Sequence, residues 1–519
     1  MAGCNTMRKS IMVDRKKEEA AMETVLNQLH KHCISLHDDT IKAYVDHFMK
    51  VLNHLIVLMK EEDVLFKAMY RRMSGAGSYY DGLKVGKPEE FDVDIVIRLP
   101  VSYEEITIVS NRSVPPAFTK VQITTKAMDL LRQRPDWAST YRSMDKWRDK
   151  DGFLLQSEFR QWVESVVNKA LNRLRRSKPN CYELGIQDPD ASGRLSQYHI
   201  SLKKSGPAMT FTVTMIPSNA KVDVDFVPVI EFTHPKWPAG SVRPLSDQLI
   251  KAKRTSWFIV PKPKSKTGDA DHTLWRLAFH EQERELINDR GTLKPVCRLL
   301  KKLRDSCQLN IASYYLKTLF LWEIDANKAP DFWKMKQSHL FMHMLKILQQ
   351  NLKRGEIKYY WDKHCNLIEG FQEKHKENLV CRLDNIIAHI ERNVSESPIV
   401  IAEHILTKEE FEAFKKNCST TFPSPSKPVA AVPNSATKEA VVHSPNLQGF
   451  RHKSDVPCSL CVDMSSKLDS IIIALTSVQS RVHTLEGRIN VLCADIRSIR
   501  NQSQFKSAPR VLNVPQHFL

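Results

Sequence analysis

No run of apolar residues in this sequence approaches the ~18 needed to cross a bilayer, so a membrane span is not expected. The opening MAGCNTMRKSIMVDRKKEEAA lacks the apolar stretch and cleavage site of a secretory signal; residues 1–18 read as a charged leader. Eleven cysteines are scattered without the rhythm of a disulfide framework, which suits reduced thiols in the cytoplasm. Cys458 and Cys461 form one CxxC near His452 with no second pair, at most half a metal site, and zinc is not expected there. An acidic balance is absent as well.

What is present is positive charge. Lys and Arg total 77 against 59 Asp and Glu, for a net +18. Residues 421–519 hold 11 Lys/Arg and 6 Asp/Glu, so +13 belongs to residues 1–420. A polyanionic partner is the natural reading of such a field on a folded body, with solubility alone as the alternative. The apolar fraction of 42% is enough for globular folding, and 519 residues exceed what one core usually supports. A two-lobed body with something extra follows.

Residues 19–35 read as a helix. Behind a candidate cap at Asp38-Asp39-Thr40, Ile41, Tyr44, Val45, Phe48, Leu52, Leu55, Ile56 and Met59 recur at helical spacing. They predict a long spine helix with one buried face. A short helix over Leu65–Tyr70 leads into a loop, Ser74-Gly75-Ala76-Gly77-Ser78. The run FDVDIVIRL (91–99) is apolar on both faces, as a central strand requires. Residues 155–177 read as a basic helix ending in Asn172-Arg173-Leu174-Arg175-Arg176, and Met209–Met215 and Val222–Ile230 as two more strands. From Thr273 to about Cys418 nearly everything reads as amphipathic helix, broken around Asn327–Pro330 and Lys353–Glu356.

The expected fold class is therefore α+β and two-lobed: a mixed-sheet core with its spine helix over 19–270, then a helical lobe over 271–418. The Pro/Ser/Ala-rich residues 419–460 should form a flexible linker. Beyond it, Leu468, Ile471, Leu475, Val478, Val482, Leu485, Ile489, Leu492, Ile496 and Ile499 alternate three- and four-residue steps. That seam predicts a coiled coil over 461–503 and self-association through 468–499, followed by a tail over 504–519. Docking back onto the body is the alternative.

Chemistry concentrates at Gly77-Ser78 and, twelve positions on, Glu90-Phe91-Asp92-Val93-Asp94. On a strand, Glu90, Asp92 and Asp94 share one face while Phe91, Val93 and Ile95 share the other. Three carboxylates on one face of an otherwise apolar strand repel one another and resist desolvation. A hard divalent cation with oxygen ligands is the economical compensation. Gly77 would let backbone approach a triphosphate, whose oxygens the Ser78 hydroxyl and nearby N–H groups could hold. Val222-Asp223-Val224-Asp225-Phe226 offers a third acid from a neighbouring strand.

These residues belong to longer motifs: GSYYDGLKVGKPEEFDVDIVI (77–97), SGPAMTFTV (205–213), VDVDFVPVIEF (222–232), WRLAF (275–279) and ASYYLKTLFLWE (312–323). Over roughly residues 20–415 the sequence resembles the cyclic GMP–AMP synthase family, and more closely the animal cGAS-like receptors with their male-abnormal (Mab-type) nucleotidyltransferase domain. The resemblance implies that Glu90, Asp92 and Asp225 hold two Mg2+ or Mn2+ ions, with Asp223 the alternative third acid and Asp94 standing behind the ligands. It implies that Gly77 and Ser78 meet the triphosphate and Lys301 its phosphates. Arg276 would read a base, and Tyr314, with Ser313 beside it, would stack on one.

The departures are informative. The vertebrate enzyme carries a zinc-binding insertion after the segment matching WRLAF; here LINDRGTLKPVC (286–297) runs through with one cysteine, and no structural zinc is expected. Ala76, Ala278 and His280 stand where that enzyme has a threonine and two serines near the bases. The resemblance thus implies an innate-immune sensor with double-stranded RNA, more than double-stranded DNA, as activator. It would use ATP and GTP to make a cyclic dinucleotide read by a STING-type receptor. A catalytically silent scaffold and an oligoadenylate-type synthase are the rival readings. Candidate RNA contacts, chosen for clustering alone, are Arg173, Arg175, Arg176, Lys251, Lys253 and Arg254.

Overall fold

The computed structural model describes residues 19–417, except 35–37, 87–88, 136–137, 188–194, 206–207 and 263–270. The expected leader, linker, coiled coil, tail and CxxC pair lie outside the described residues, as does the whole of a second unit, Pro428–Leu519. Among the described residues no helix is long and apolar enough to cross a membrane.

Among the described residues eleven strands build one mixed sheet: β1 (Tyr70–Ala76), β2 (Glu90–Ile97), β3 (Ile106–Val109), β4 (Phe118–Ile123), β5 (Arg175–Lys178), β6 (Cys181–Gln187), β7 (Leu195–Ser205), β8 (Ala208–Ile216), β9 (Lys221–Thr233), β10 (Ser256–Val260) and β11 (Trp275–Ala278). The order β3-β4-β11-β10-β9-β8-β7-β6-β5 is joined by β2, which pairs parallel with β9 and antiparallel with β1. Strand β2 is thus flanked on both edges, and from Val93 to Ile97 it is buried without a break. Its double-sided apolar character has that cause.

Helix α1 (19–29), continuing through a π-helical turn at His30–Ile34, precedes the spine α2 (Asp38–Glu62) and the short α3 (Val64–Met69). Phe48, Val51 and Leu52 of the spine are fully buried, and the Phe48 ring lies 4.6 Å from Phe91 of β2. The spine therefore covers the Phe91 face of the strand and leaves the acidic face open. Helices α4 (Gly77–Tyr80), α5 (Thr125–Arg132), α6 (Ala138–Lys146), α7 (Gln156–Asn172) and α8 (Asp247–Lys251) complete the core. The helical lobe comprises α9 (His280–Ile287), α10 (Leu293–Ser306), α11 (Ser313–Ala326), α12 (Gln337–Lys353), α13 (Glu373–Asn393), α14 (Val400–Ile405) and α15 (Lys408–Asn417).

Three local readings need correction. The basic helix stops at Asn172, and Arg175–Lys178 is the edge strand β5. Pro179 disfavours helix at the residue before it, and Asn180 takes the left-handed conformation (φ 57°) that turns the chain back along β6. Ser74–Ala76 is strand, not loop, because β1 pairs with β2 as far as Ala76 opposite Asp92. Trp275–Ala278 is likewise a strand: Trp275 and Leu277 are buried in alternation, and four residues beside β10 and β4 gain a sheet ladder that an isolated turn of helix could not. The helical lobe begins only at His280.

Helix α12 has no side-chain cap of its own. Glu23 of α1 supplies one, its carboxylate accepting from the Gln337 N–H (3.2 Å) and the Ser338 N–H (2.8 Å). The anion sits on the positive end of the helix dipole and ties α1 to the helical lobe. Glu23→Ala should therefore lower the unfolding free energy by about 1–2 kcal/mol, read as a lower denaturant midpoint at unchanged slope, whereas Glu23→Gln should lose less.

Candidate active site

The parallel ladder between β2 and β9 sets Asp92 opposite Asp225 and Glu90 opposite Asp223. Neighbouring strands lie about 4.8 Å apart, so the side chains of each pair leave the sheet from neighbouring positions on one face. Asp225 is half-buried and accepts from the Thr210 hydroxyl (2.6 Å), which orients it; Asp223, held likewise by Thr212 (2.6 Å), is exposed. Of the two candidate third acids, Asp225 is the one across from Asp92. Glu90 is exposed, whereas Asp94 is buried with the His280 ring nitrogen Nδ1 3.4 Å from its carboxylate.

The electrostatics follow from this crowding. Burial, reinforced by the charges of Asp225 and Glu90, pushes the Asp92 carboxyl up to about 6, against a downward pull from Lys84. Burial first, then Asp92 and Glu281, pushes Asp94 up to about 8. Burial also lowers His280 to about 3, helped by Arg284, Lys317 and Arg72, and its ring stacks 4.7 Å from Phe258. Both shifts favour the uncharged forms, and Asp94 and His280 sit together behind the acids.

Gly77 follows β1 and opens α4 with φ 71°, a backbone conformation costly for any residue with a Cβ. Space is as decisive, because a Cβ at position 77 would lie 1.7 Å from the Asp92 Oδ2. The glycine expected to admit a triphosphate therefore also admits the Asp92 carboxylate. Gly75 accommodates the Tyr80 ring in the same way, at 2.3 Å from a would-be Cβ. Arg284 of α9 pins this stretch by donating to the Gly75 carbonyl (2.6 Å).

Across from the acids stands the helical lobe. Lys301 of α10 donates to the Leu83 carbonyl (2.7 Å), and its buried ammonium is pulled below its usual range chiefly by desolvation. Tyr314 of α11 donates to Glu283 Oε1 (2.6 Å), which also accepts from the Trp361 indole (3.1 Å). Lys317 bridges Glu283 (2.8 Å) and Asp81 (2.6 Å). Burial pulls the Lys317 ammonium down, but those two carboxylates outweigh it and hold its pKa above the usual value.

Seven of the nine expected nucleotide and metal residues line one cavity of about 360 Å³: Gly77, Ser78, Glu90, Asp92, Lys301, Ser313 and Tyr314. Asp225 stands beside Asp92 on the next strand. Arg276 lines a neighbouring cavity of about 540 Å³, its guanidinium 4.9 Å from the Tyr359 ring centre, and His280, Glu283 and Tyr314 form the wall both cavities share. Sequence reading missed Lys84, Asp81, Glu283, Lys317 and Tyr359. Lys317 falls one helical turn after Ser313, and Lys84 lies inside the quoted motif, so the signals were present without a reason to select them.

The six basic candidates fall into two groups. Arg173, Arg175 and Arg176 lie at the β5 end of the sheet, while Lys251, Lys253 and Arg254 lie at and just beyond the C-terminal end of α8, before β10. Five strand spacings separate β5 from β10, on the order of 24 Å. Arg173 pairs with Glu61, Arg175 with Glu183 (3.5 Å) and Arg254 with Glu285 (3.2 Å), so half of the set is already engaged within the chain.

The candidate metal donors are Glu90, Asp92 and Asp225. All offer carboxylate oxygens, hard ligands that suit a divalent cation, and among the described residues Lys84 is the one ammonium paired with them. As they stand, no three His, Cys, Asp or Glu among the described residues are gathered closely enough to hold an ion, and Asp92 is turned onto Gly77. The chemistry of the set fits divalent cations, and their entry requires side-chain adjustment. Gly77→Ala should force Asp92 aside and destabilise the protein by about 1–3 kcal/mol, measured by chemical denaturation; wild-type stability would show that the close approach is dispensable.

Comparison with known proteins agrees with this geometry. Residues 79–289 match the Mab-21 protein nucleotidyltransferase domain, and residues 292–385 match the Mab-21 protein HhH/H2TH-like domain. A cyclic GMP-AMP synthase-like receptor of Tribolium castaneum is 34% identical over 393 residues, covering 76% of this chain and 94% of that one. Counterparts in Trichogramma pretiosum and Aethina tumida are each 33% identical, covering 76% and 75% of this chain and 77% and 92% of their own. With an acid pair on parallel strands, a glycine–serine turn above it and a helical lobe closing the cavity, the chain belongs to the cyclic GMP-AMP synthase-like receptor family and is a Mab-21-type nucleotidyltransferase.

Proposed function

We propose that the protein is an innate-immune sensor that, once bound to double-stranded RNA, joins ATP and GTP into a cyclic dinucleotide of the cyclic GMP-AMP type. A STING-type receptor would read the product. The observation that carries this reading is the pair of adjoining cavities with Tyr314 in their common wall, one lined by acids and Lys301 and the other by Arg276 and aromatic rings. Two nucleotides side by side need such a pair.

Glu90, Asp92 and Asp225 would hold two Mg2+ or Mn2+ ions. Such ions, when bound, favour deprotonation of an attacking hydroxyl and neutralise charge on a leaving pyrophosphate. The chain's own residues do the rest. The Ser78 hydroxyl and the Gly77 turn hold the triphosphate, and Lys301 balances its charge from the helical side. The Tyr314 ring stacks on one base, and Arg276 orients the other. A ribose hydroxyl of one nucleotide attacks the α-phosphorus of the other in line, a P–O bond forms, and pyrophosphate departs. The linear dinucleotide then turns in the double cavity, and a second attack closes the ring.

Duplex RNA fits the net charge of the body, since A-form helices are recognised through shape and phosphate contacts. Arg173, Arg175, Arg176 and Lys251, Lys253, Arg254 would serve as two separate contact groups, one at the β5 edge of the sheet and one beside β10. Self-association through 468–499 would multiply those contacts.

The decisive experiment incubates the full chain with ATP, GTP, Mg2+ or Mn2+ and a panel of long RNA and DNA duplexes, with products read by mass. Cyclic dimers with RNA are expected; linear oligomers, or no product with any duplex, would overturn the proposal. Glu90→Ala combined with Asp92→Ala should abolish product while RNA is still retained in a gel shift. Charge reversal at Arg176, Lys251 and Lys253 should raise the RNA concentration required, and an unchanged dose response would place the contact surface elsewhere.

A further inference from the structure

Lys84 sits between the α4 turn and β2, where the chain has no regular structure. Its ammonium donates to the backbone carbonyl of Glu90 (3.1 Å) and lies 3.8 Å from the Glu90 carboxylate. The Lys84 side chain is 17% exposed and the Glu90 side chain 65% exposed. It lines the same cavity as Asp92 and Lys301. No other ion pair involves Glu90, Asp92 or Asp225 among the described residues. Asp81 shows the contrast, being locked by Lys317 at 2.6 Å with Arg284 at 3.6 Å.

We infer that Lys84 is a resident countercharge for the acid cluster: it competes with divalent cations for Glu90 in the nucleotide-free protein and turns to the phosphates once a nucleotide is bound. The inference rests on reading Glu90, Asp92 and Asp225 as the metal-holding acids. Three features support it. An ion pair of this length with an exposed partner is weak, so a divalent ion can displace it. The hydrogen bond to the Glu90 backbone carbonyl does not depend on the carboxylate, so the ammonium stays in the cavity after displacement. Lys301, held on the Leu83 carbonyl, lines the same cavity from the helical side, so the two ammonium groups face it from the acid side and from the helical side. A triphosphate entering the cavity would meet both.

The consequence is a coupling between metal and nucleotide. A fixed positive charge beside the acids opposes a bare cation, but it favours a cation that arrives with phosphates to share. The protein would thus take up its ions with the nucleotide rather than ahead of it.

The test measures Mn2+ binding to the full chain by the electron paramagnetic resonance signal of free Mn2+, first without nucleotide and then with α,β-methylene ATP. Lys84→Met should bind Mn2+ roughly two- to fivefold more tightly without nucleotide and bind the analogue more weakly by a similar factor. Lys84→Arg should track the wild type in both, and Lys84→Gln serves if the Met variant does not fold. Unchanged or weaker Mn2+ binding in the neutral variants without nucleotide overturns the inference. Glu90→Gln with Asp92→Asn separates the two levels: wild-type Mn2+ binding in that variant would overturn the acid assignment itself.

Discussion

The parallel pairing of β2 with β9 is the constraint on which the site depends. It brings Asp92 and Asp225 to adjacent positions on one face, with Glu90 and Asp223, both exposed, paired two residues earlier on the same strands. Two full charges one strand spacing apart repel by about 3 kcal/mol at an effective dielectric of about 20. The sheet tolerates this because the opposite face of β2 is packed: Phe91 meets Phe48 of the spine and Tyr79 at 4.8 Å, and Val93 and Ile95 are buried in the same core. Hydrophobic burial on one face thus offsets electrostatic crowding on the other. Burial first, and the neighbouring acids second, lift the Asp92 and Asp94 carboxyls above the usual carboxylate range.

A second constraint joins the core to the helical lobe. Lys317, fully enclosed, takes carboxylates from both sides, Asp81 just after α4 and Glu283 on α9. Such a buried triad stabilises little in net terms, since desolvation consumes most of the Coulombic gain, but losing one member would strand a charge. Its value is geometric. It sets the Gly77–Ser78 turn against Tyr314, whose hydroxyl is held by the same Glu283. The distance between the acidic wall and the stacking wall is therefore held by an ion cluster rather than by loop contacts.

Much of this was legible from residue order. The alternation of Glu90, Asp92 and Asp94 against Phe91, Val93 and Ile95 follows from strand geometry alone and is what the structure has. The spine's apolar stripe and the helical lobe were readable for the same reason: local periodicity reflects which face is buried. The errors fall where local pattern and tertiary context disagree. Arg175–Lys178 is an exposed edge strand with four polar residues, so nothing in its composition separates it from a helix end. Trp275–Ala278 is too short for period two to outweigh the helical residues around it. Gly77 stood out in the sequence as a glycine that could admit a triphosphate, yet another reason for it, room for Asp92, needed the neighbouring strand in place.

By itself the sequence determined the acids, the glycine–serine turn, the positive charge and the alternation of faces, because each is a property of residue type and spacing. Only the tertiary structure decided that Asp225 rather than Asp223 stands opposite Asp92, that Lys84 faces Glu90, and that Lys317 joins Asp81 to Glu283 across more than two hundred residues. The physical reason is that register between distant strands and the meeting of buried charges are set by how the whole core packs. No local window of the chain carries that information.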